Sequence, residues 1–133
     1  MFDARIGGTM STILLVEDDP DIRHLVSYKL TRGGFDVIEA ADGVAALHEA
    51  RRHRPDLIIL DVRMPRMSGL EVCRELRAAP HTAHVPIIML TARARTQDLE
   101  QAYAAGATDD VVKPFSPRAL QERVESLLPK VGH

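Results

Sequence analysis

One cysteine, Cys73, is the whole thiol complement of this 133-residue chain, so no internal disulfide framework can form and a reducing cytosol suits it. A dominant charge is missing too. Seventeen Lys and Arg against 19 Asp and Glu leave a formal net charge of -2, which gives no argument for a nucleic-acid or membrane surface. No apolar run approaches the ~18 residues that span a bilayer, and no signal-peptide pattern precedes the first apolar segment. There is no repeat and no low-complexity tract. What is present is an ordinary globular balance, 45% apolar and 27% charged, in a length that suits one domain with a real core. Residues 1–10, MFDARIGGTM, are Gly-containing and aperiodic, and Met10 offers a second plausible start. They are expected to form a disordered extension ahead of a domain over 11–130.

Short runs rich in β-branched residues alternate with amphipathic stretches. The runs predict strands β1 to β5 at TILLV (12–16), DVIEA (36–40), DLIIL (56–60), VPIIML (85–90) and DVVK (110–113). The stretches between and after them predict helices α1 to α5 at 20–32, 43–53, 69–79, 96–105 and 116–128. In α1 the helical spacing of Ile22, Leu25, Val26 and Leu30 shows it best. Asp19 followed by Pro20 reads as an N-cap and first helical position, Gly33-Gly34 as the stop, and Ser116-Pro117 as the start of the last helix. Five strands alternating with five helices imply an α/β fold with a mostly parallel sheet and helices on both faces. Continuous Leu, Ile and Val is what burial on both faces requires.

In such a sheet, ligands sit beyond the carboxyl ends of the strands, near the point where strand order reverses. Glu17 and Asp18 fall at that end of β1, Asp61 after β3, Thr91 after β4 and Lys113 at the end of β5. Three consecutive acids, Glu17 to Asp19, repel one another unless a positive partner lies among them. A divalent cation such as Mg²⁺, together with Lys113, supplies it, and a carboxylate freed from that repulsion is a feasible nucleophile toward phosphorus. Asp19 alone reads as a helix cap, and Asp18 taken singly reads equally well as a helix-start acid. Capping accounts for neither Asp61 nor Lys113. Ser68 and Gly69 read as turn and helix-start residues, Cys73 as core, and the loop histidines His81 and His84 as solvated rather than metal-bound.

The ordered set of ED, LIILDVRMPRMSGLE, MLTA and VVKPFSP resembles the receiver domain of bacterial two-component response regulators, from about residue 12 to residue 128. The resemblance implies a flavodoxin-like, doubly wound fold with a five-stranded parallel sheet in the order 2-1-3-4-5. It makes Asp61 the acceptor of a phosphoryl group from a sensor histidine kinase or phosphotransfer protein. Mg²⁺, with Mn²⁺ as a substitute, would be held by Asp18, by Glu17 through water, by Asp61 and by the backbone carbonyl of Arg63. Thr91 and Lys113 match the groups that contact phosphoryl oxygens, and Lys113-Pro114 matches a bond that is cis in the family. A cytoplasmic signalling module, not an enzyme acting on other substrates, is the implied role, with α4–β5–α5 as the readout and possible homodimer face.

Three positions set this chain apart within that resemblance. Asp110 stands where the family usually has Tyr or Phe, so its carboxylate is expected to face solvent or an arginine, with readout through charge pairing with Arg95, Arg118 or Arg123. Arg63 and Arg93 flank the approach of the hydrolytic water in receivers and are expected to shield the phosphoryl group. Rival readings are a flavodoxin-type nucleotide binder, which the acidic loop after β1 disfavours, a metal-dependent aspartyl phosphatase, and a receiver that binds its partner without phosphorylation.

Overall fold

The computed structural model describes residues 10–92 and 96–128, residues 96–98 by their backbone alone. The expected extension, except Met10, and both Arg93 and Arg95 lie outside the described residues. The elements are β1 (Thr12–Val16), α1 (Pro20–Arg32), β2 (Asp36–Ala40), α2 (Gly43–His53), β3 (Leu57–Asp61), α3 (Gly69–Ala78), β4 (Ile87–Thr91), α4 (Thr96–Ala105), β5 (Asp109–Val112) and α5 (Pro117–Leu127). The five strands form one parallel sheet in the order β2-β1-β3-β4-β5, the flavodoxin-like arrangement.

Every residue of β3 and β4 is buried, because alternate side chains feed two separate halves of the core. Leu14, Val16, Ile58 and Leu60 pack against Ala46 of α2 and Val72 and Leu76 of α3. Ile13, Leu15, Leu57 and Ile59 point the other way, toward Val26 and Leu30 of α1 and Leu120 and Val124 of α5. Cys73 is fully enclosed on the first side. Leu25, one residue from Val26 and so about 100° around the helix, is turned outward and is 56% exposed.

Three strands begin or end differently from the sequence reading. Asp56 stays out of β3 because its carboxylate accepts from the Thr12 amide (2.8 Å), and the strand runs on to include Asp61. Pro86 has no N–H for a ladder, so β4 begins at Ile87 and ends with Thr91. Lys113 follows β5 rather than closing it. Helix starts fall where the caps place them: Asp19 accepts from the amides of Asp21 (2.9 Å) and Ile22 (3.4 Å), Ser116 from Ala119 (3.0 Å), and Ser68 forms a capping box with Glu71.

At the amino ends of β4 and β5 a single guanidinium ties the layers. Arg77 of α3 donates to the carbonyls of Gly106 (2.9 Å) and Val85 (2.6 Å) and to the hydroxyl of Thr108 (3.2 Å). Among the described residues no helix is long and apolar enough to cross a membrane.

Candidate functional site

Strand register assembles the acids at the opposite end of the sheet. Val16 lies beside Leu60, so the next residues, Glu17 and Asp61, emerge next to each other. Asp61 pairs with Leu90 and Thr91 with Val112, which brings Thr91 and Lys113 into the same row. The Lys113–Pro114 peptide is cis. Carboxylate oxygens of Glu17, Asp18 and Asp61 fall within 4.8 Å of one another, the only group of three possible metal ligands among the described residues. Glu17 is completely buried and Asp61 nearly so, whereas Asp18 is exposed.

Lys113 is the positive partner within this row. Its Nζ lies 2.8 Å from Glu17 Oε1 and 3.2 Å from Asp61 Oδ1. The first contact is an ion pair rather than an aligned hydrogen bond. One ammonium does not balance three carboxylates. Burial, and next the Glu17 carboxylate, push the Asp61 carboxyl up to about 7, against the pull of Lys113. Burial works against the Lys113 ammonium in turn, but Glu17 and Asp61 outweigh it and hold its pKa above the ordinary lysine value. A cluster with this excess of negative oxygen, one member solvent-facing, fits a hard cation such as Mg²⁺, which takes few carboxylates and keeps several waters.

The Thr91 hydroxyl points to a second ligand. It is buried and has no hydrogen-bond partner among the described residues. An unsatisfied buried hydroxyl costs about 1–3 kcal/mol, so its place in the row marks it as a donor held for something that binds there. Asp61 is oriented as well: the Arg63 amide donates to its Oδ1 at 3.3 Å. Beside Thr91 a cavity of about 560 Å³ runs between the β3–α3 loop and α4, with Arg63, Met64, Leu70 and Gln101 in its walls.

Two features of the site carry no sequence signal. Gly69 is more than a turn residue: a Cβ there would stand 2.1 Å from the Asp61 carbonyl oxygen, so the start of α3 comes in directly behind Asp61. Arg23 of α1 donates to the Glu17 carbonyl (2.8 Å) and to Glu39 (3.1 Å).

Among the described residues Asp110 is met by a hydroxyl, and neither Arg118 nor Arg123 pairs with its carboxylate. Its Oδ1 accepts from the Tyr103 hydroxyl of α4 at 2.7 Å. Arg123 binds the Asp109 carboxylate instead and reaches only the Asp110 carbonyl, at 3.5 Å, while Arg118 pairs with Glu122 at 3.6 Å. Arg95 lies outside the described residues. The reason is the pleat: neighbouring residues of β5 face opposite sides, so Asp109 meets α5 and Asp110 meets α4.

Comparison with known proteins converges on one family. Residues 13–125 match the response regulator receiver domain. Over 116 residues the chain is 45% identical to the alkaline phosphatase synthesis transcriptional regulatory protein PhoP of Bacillus subtilis, covering 87% of this chain and 48% of that one. It is 44% identical to the DNA-binding response regulator MtrA of Mycolicibacterium smegmatis, covering 87% and 50%. The chain thus spans about half the length of the curated relatives it matches. Among solved structures, chemotaxis response regulator CheY4 of Vibrio cholerae superposes with a TM-score of 0.87 at 39% identity, covering 90% of this chain and all of that one. The receiver domain of sensor histidine kinase PA1611 from Pseudomonas aeruginosa, solved with a magnesium ion coordinated in its active site cleft, has a TM-score of 0.82 at 38% identity, covering 89% and 97%.

Proposed function

The chain belongs to the response regulator receiver family, phosphoacceptor signalling modules rather than classical enzymes, and we propose that Asp61 is its phosphoacceptor, charged by a sensor histidine kinase or phosphotransfer protein with Mg²⁺ or Mn²⁺ held by Glu17, Asp18, Asp61 and the Arg63 carbonyl. The observation that carries this is the cluster of three carboxylates within 4.8 Å beside a lysine and a buried hydroxyl with no partner among the described residues. The cation, when bound, neutralises the carboxylates and the incoming phosphoryl oxygens.

The rest falls to the chain's own residues. The hydrogen bond and the ion pair that reach the Asp61 side chain both end on Oδ1, which leaves Oδ2 uncommitted to any described protein donor. That oxygen attacks phosphorus as the donor's bond to phosphorus breaks, and the electron pair leaves with the donor group. Lys113 and Thr91 then meet the transferred oxygens, the first by charge and the second by the proton of its hydroxyl. Arg63, in the wall beside the row, shields the acyl phosphate from water, and Arg93 joins it in this role. Readout runs over α4–β5–α5, where Tyr103–Asp110 and Arg123–Asp109 are the contacts available to change, and this face is also the place for a homodimer. The module works in the cytoplasm.

The test is incubation with acetyl phosphate, with and without Mg²⁺, followed by intact mass. One phosphoryl mass is gained only with the cation, and Asp61→Asn gains none. An Asp61→Asn protein phosphorylated at the parent rate sinks the assignment.

A further inference from the structure

β1 ends at Val16, and the sheet still holds the N–H of the Glu17 residue that follows but leaves its carbonyl to a side chain. Its N–H is bonded to the Ala40 carbonyl at 3.1 Å. Its carbonyl accepts from Arg23 Nη1 at 2.8 Å, while Arg23 Nε donates to Glu39 Oε1 at 3.1 Å. The Arg23 side chain is 16% exposed, so it is largely withdrawn from water. The carbonyl that Arg23 grips belongs to the peptide joining Glu17 to Asp18. Rotation of that one peptide swings the Asp18 carboxylate relative to Glu17 and Asp61. A guanidinium near an acidic cluster also brings a difficulty, because its positive charge opposes a cation. Glu39, at the other prong of the fork, cancels it.

We propose that Arg23 is a positioning residue for the cation site, locking the Glu17–Asp18 peptide so that both carboxylates face Asp61, and that Glu39 neutralises Arg23 so that this hold does not repel the cation. The inference rests on the cation reading above. It assigns Arg23 no contact with phosphate or metal.

The experiment measures Mn²⁺ affinity by calorimetry and, separately, the phosphorylation rate with acetyl phosphate at saturating Mn²⁺. Arg23→Gln weakens Mn²⁺ binding by about 10–100-fold, the range for partners that orient metal ligands. Its rate at saturating Mn²⁺ returns to within about twofold of the parent, a split that general loss of structure does not produce. Arg23→Lys keeps the charge but cannot fork to both acceptors, and stays weak. Glu39→Gln keeps an acceptor for Nε and loses the countercharge, weakening binding by about threefold through the exposed charge. If Arg23→Gln does not fold, Arg23→Lys and Glu39→Gln decide by the same affinities. Variant affinities within about twofold of a parent that binds normally overturn the inference alone, as does a lowered rate at saturating Mn²⁺ with unchanged affinity. A parent that binds no Mn²⁺ overturns the cation reading, and the inference with it.

Discussion

The Tyr103 hydroxyl donates to Asp110 Oδ1 at 2.7 Å and so fastens the last turns of α4 to β5. That hydrogen bond, with burial and the charges of Asp110 and Asp109 behind it, pushes the Tyr103 phenol up to about 12. The folded value lies above the unfolded one, so the stabilisation is present below about pH 10 and is lost as pH rises toward 12. In an alkaline titration of phenolate absorbance, one of the two tyrosines should ionise late. Tyr103→Phe should abolish that late step, and Asp110→Asn should bring it back toward the ordinary range. An unchanged curve in Asp110→Asn would dissociate the shift from this contact.

Asp61 yields a prediction of opposite practical use. Its carboxyl is raised from 3.8 to about 7, so the folded protein without a divalent cation holds a proton that the unfolded chain releases earlier. The stability this contributes is complete below about pH 4 and is lost as pH climbs through 7. Three units at about 1.4 kcal/mol each set an upper bound of about 4 kcal/mol. Melting of the cation-free protein should therefore fall between about pH 5 and 8, the fall should shrink in Asp61→Asn, and Mg²⁺ should restore the loss at the alkaline end. Thermal melts with chelator and with Mg²⁺ decide it.

Removing Lys113 should separate cation binding from phosphoryl transfer. Lys113→Met leaves Glu17 and Asp61 without their ammonium at 2.8 Å and 3.2 Å, which costs about 3 kcal/mol without a cation, at the low end for breaking a buried pair because Lys113 is 23% exposed. The same change removes a positive charge from the cation's surroundings. Mg²⁺ should bind Lys113→Met more tightly than the parent, while phosphorylation by acetyl phosphate becomes slower. Parallel loss of both would make Lys113 a structural residue only.

Gly69→Ala should destabilise by about 1–3 kcal/mol, as overpacking does, because the added methyl meets the Asp61 carbonyl at 2.1 Å. Urea unfolding measures the loss, and phosphorylation should slow with it, since the backbone displaced is that of the acceptor itself.

Much of the fold could be read before any coordinates. Unbroken runs such as LIIL and IIML have only one economical use, as strands covered on both faces, and the Asp19-Pro20 and Ser116-Pro117 pairs mark helix starts to the residue. The row of Glu17, Asp61, Thr91 and Lys113 was equally legible, because polar residues ending apolar strands must gather at one edge of a parallel sheet. What escaped depends on side-chain direction. Asp109 and Asp110 are identical in type and adjacent in sequence, and only the sense of the pleat sends one to Arg123 and the other to Tyr103. Arg23 escaped because one of its partners is a main-chain carbonyl, which leaves no trace in a sequence.

The grip of Arg77 divides the molecule into two poles that obey different chemistry. Its bonds to Gly106, Val85 and Thr108 use neutral acceptors only, so neither acid nor chelator within the working range has a partner there to alter. At the other pole the contacts of Asp61 and Lys113 are ionic and answer to every proton or divalent ion in solution. Amide exchange followed across pH and Mg²⁺ concentration should then be lopsided, with protection near Gly106 and Val85 constant and protection near Val62 and Arg63 rising and falling with the medium. Such a domain joins one end whose bonds are indifferent to the medium to another whose bonds follow it.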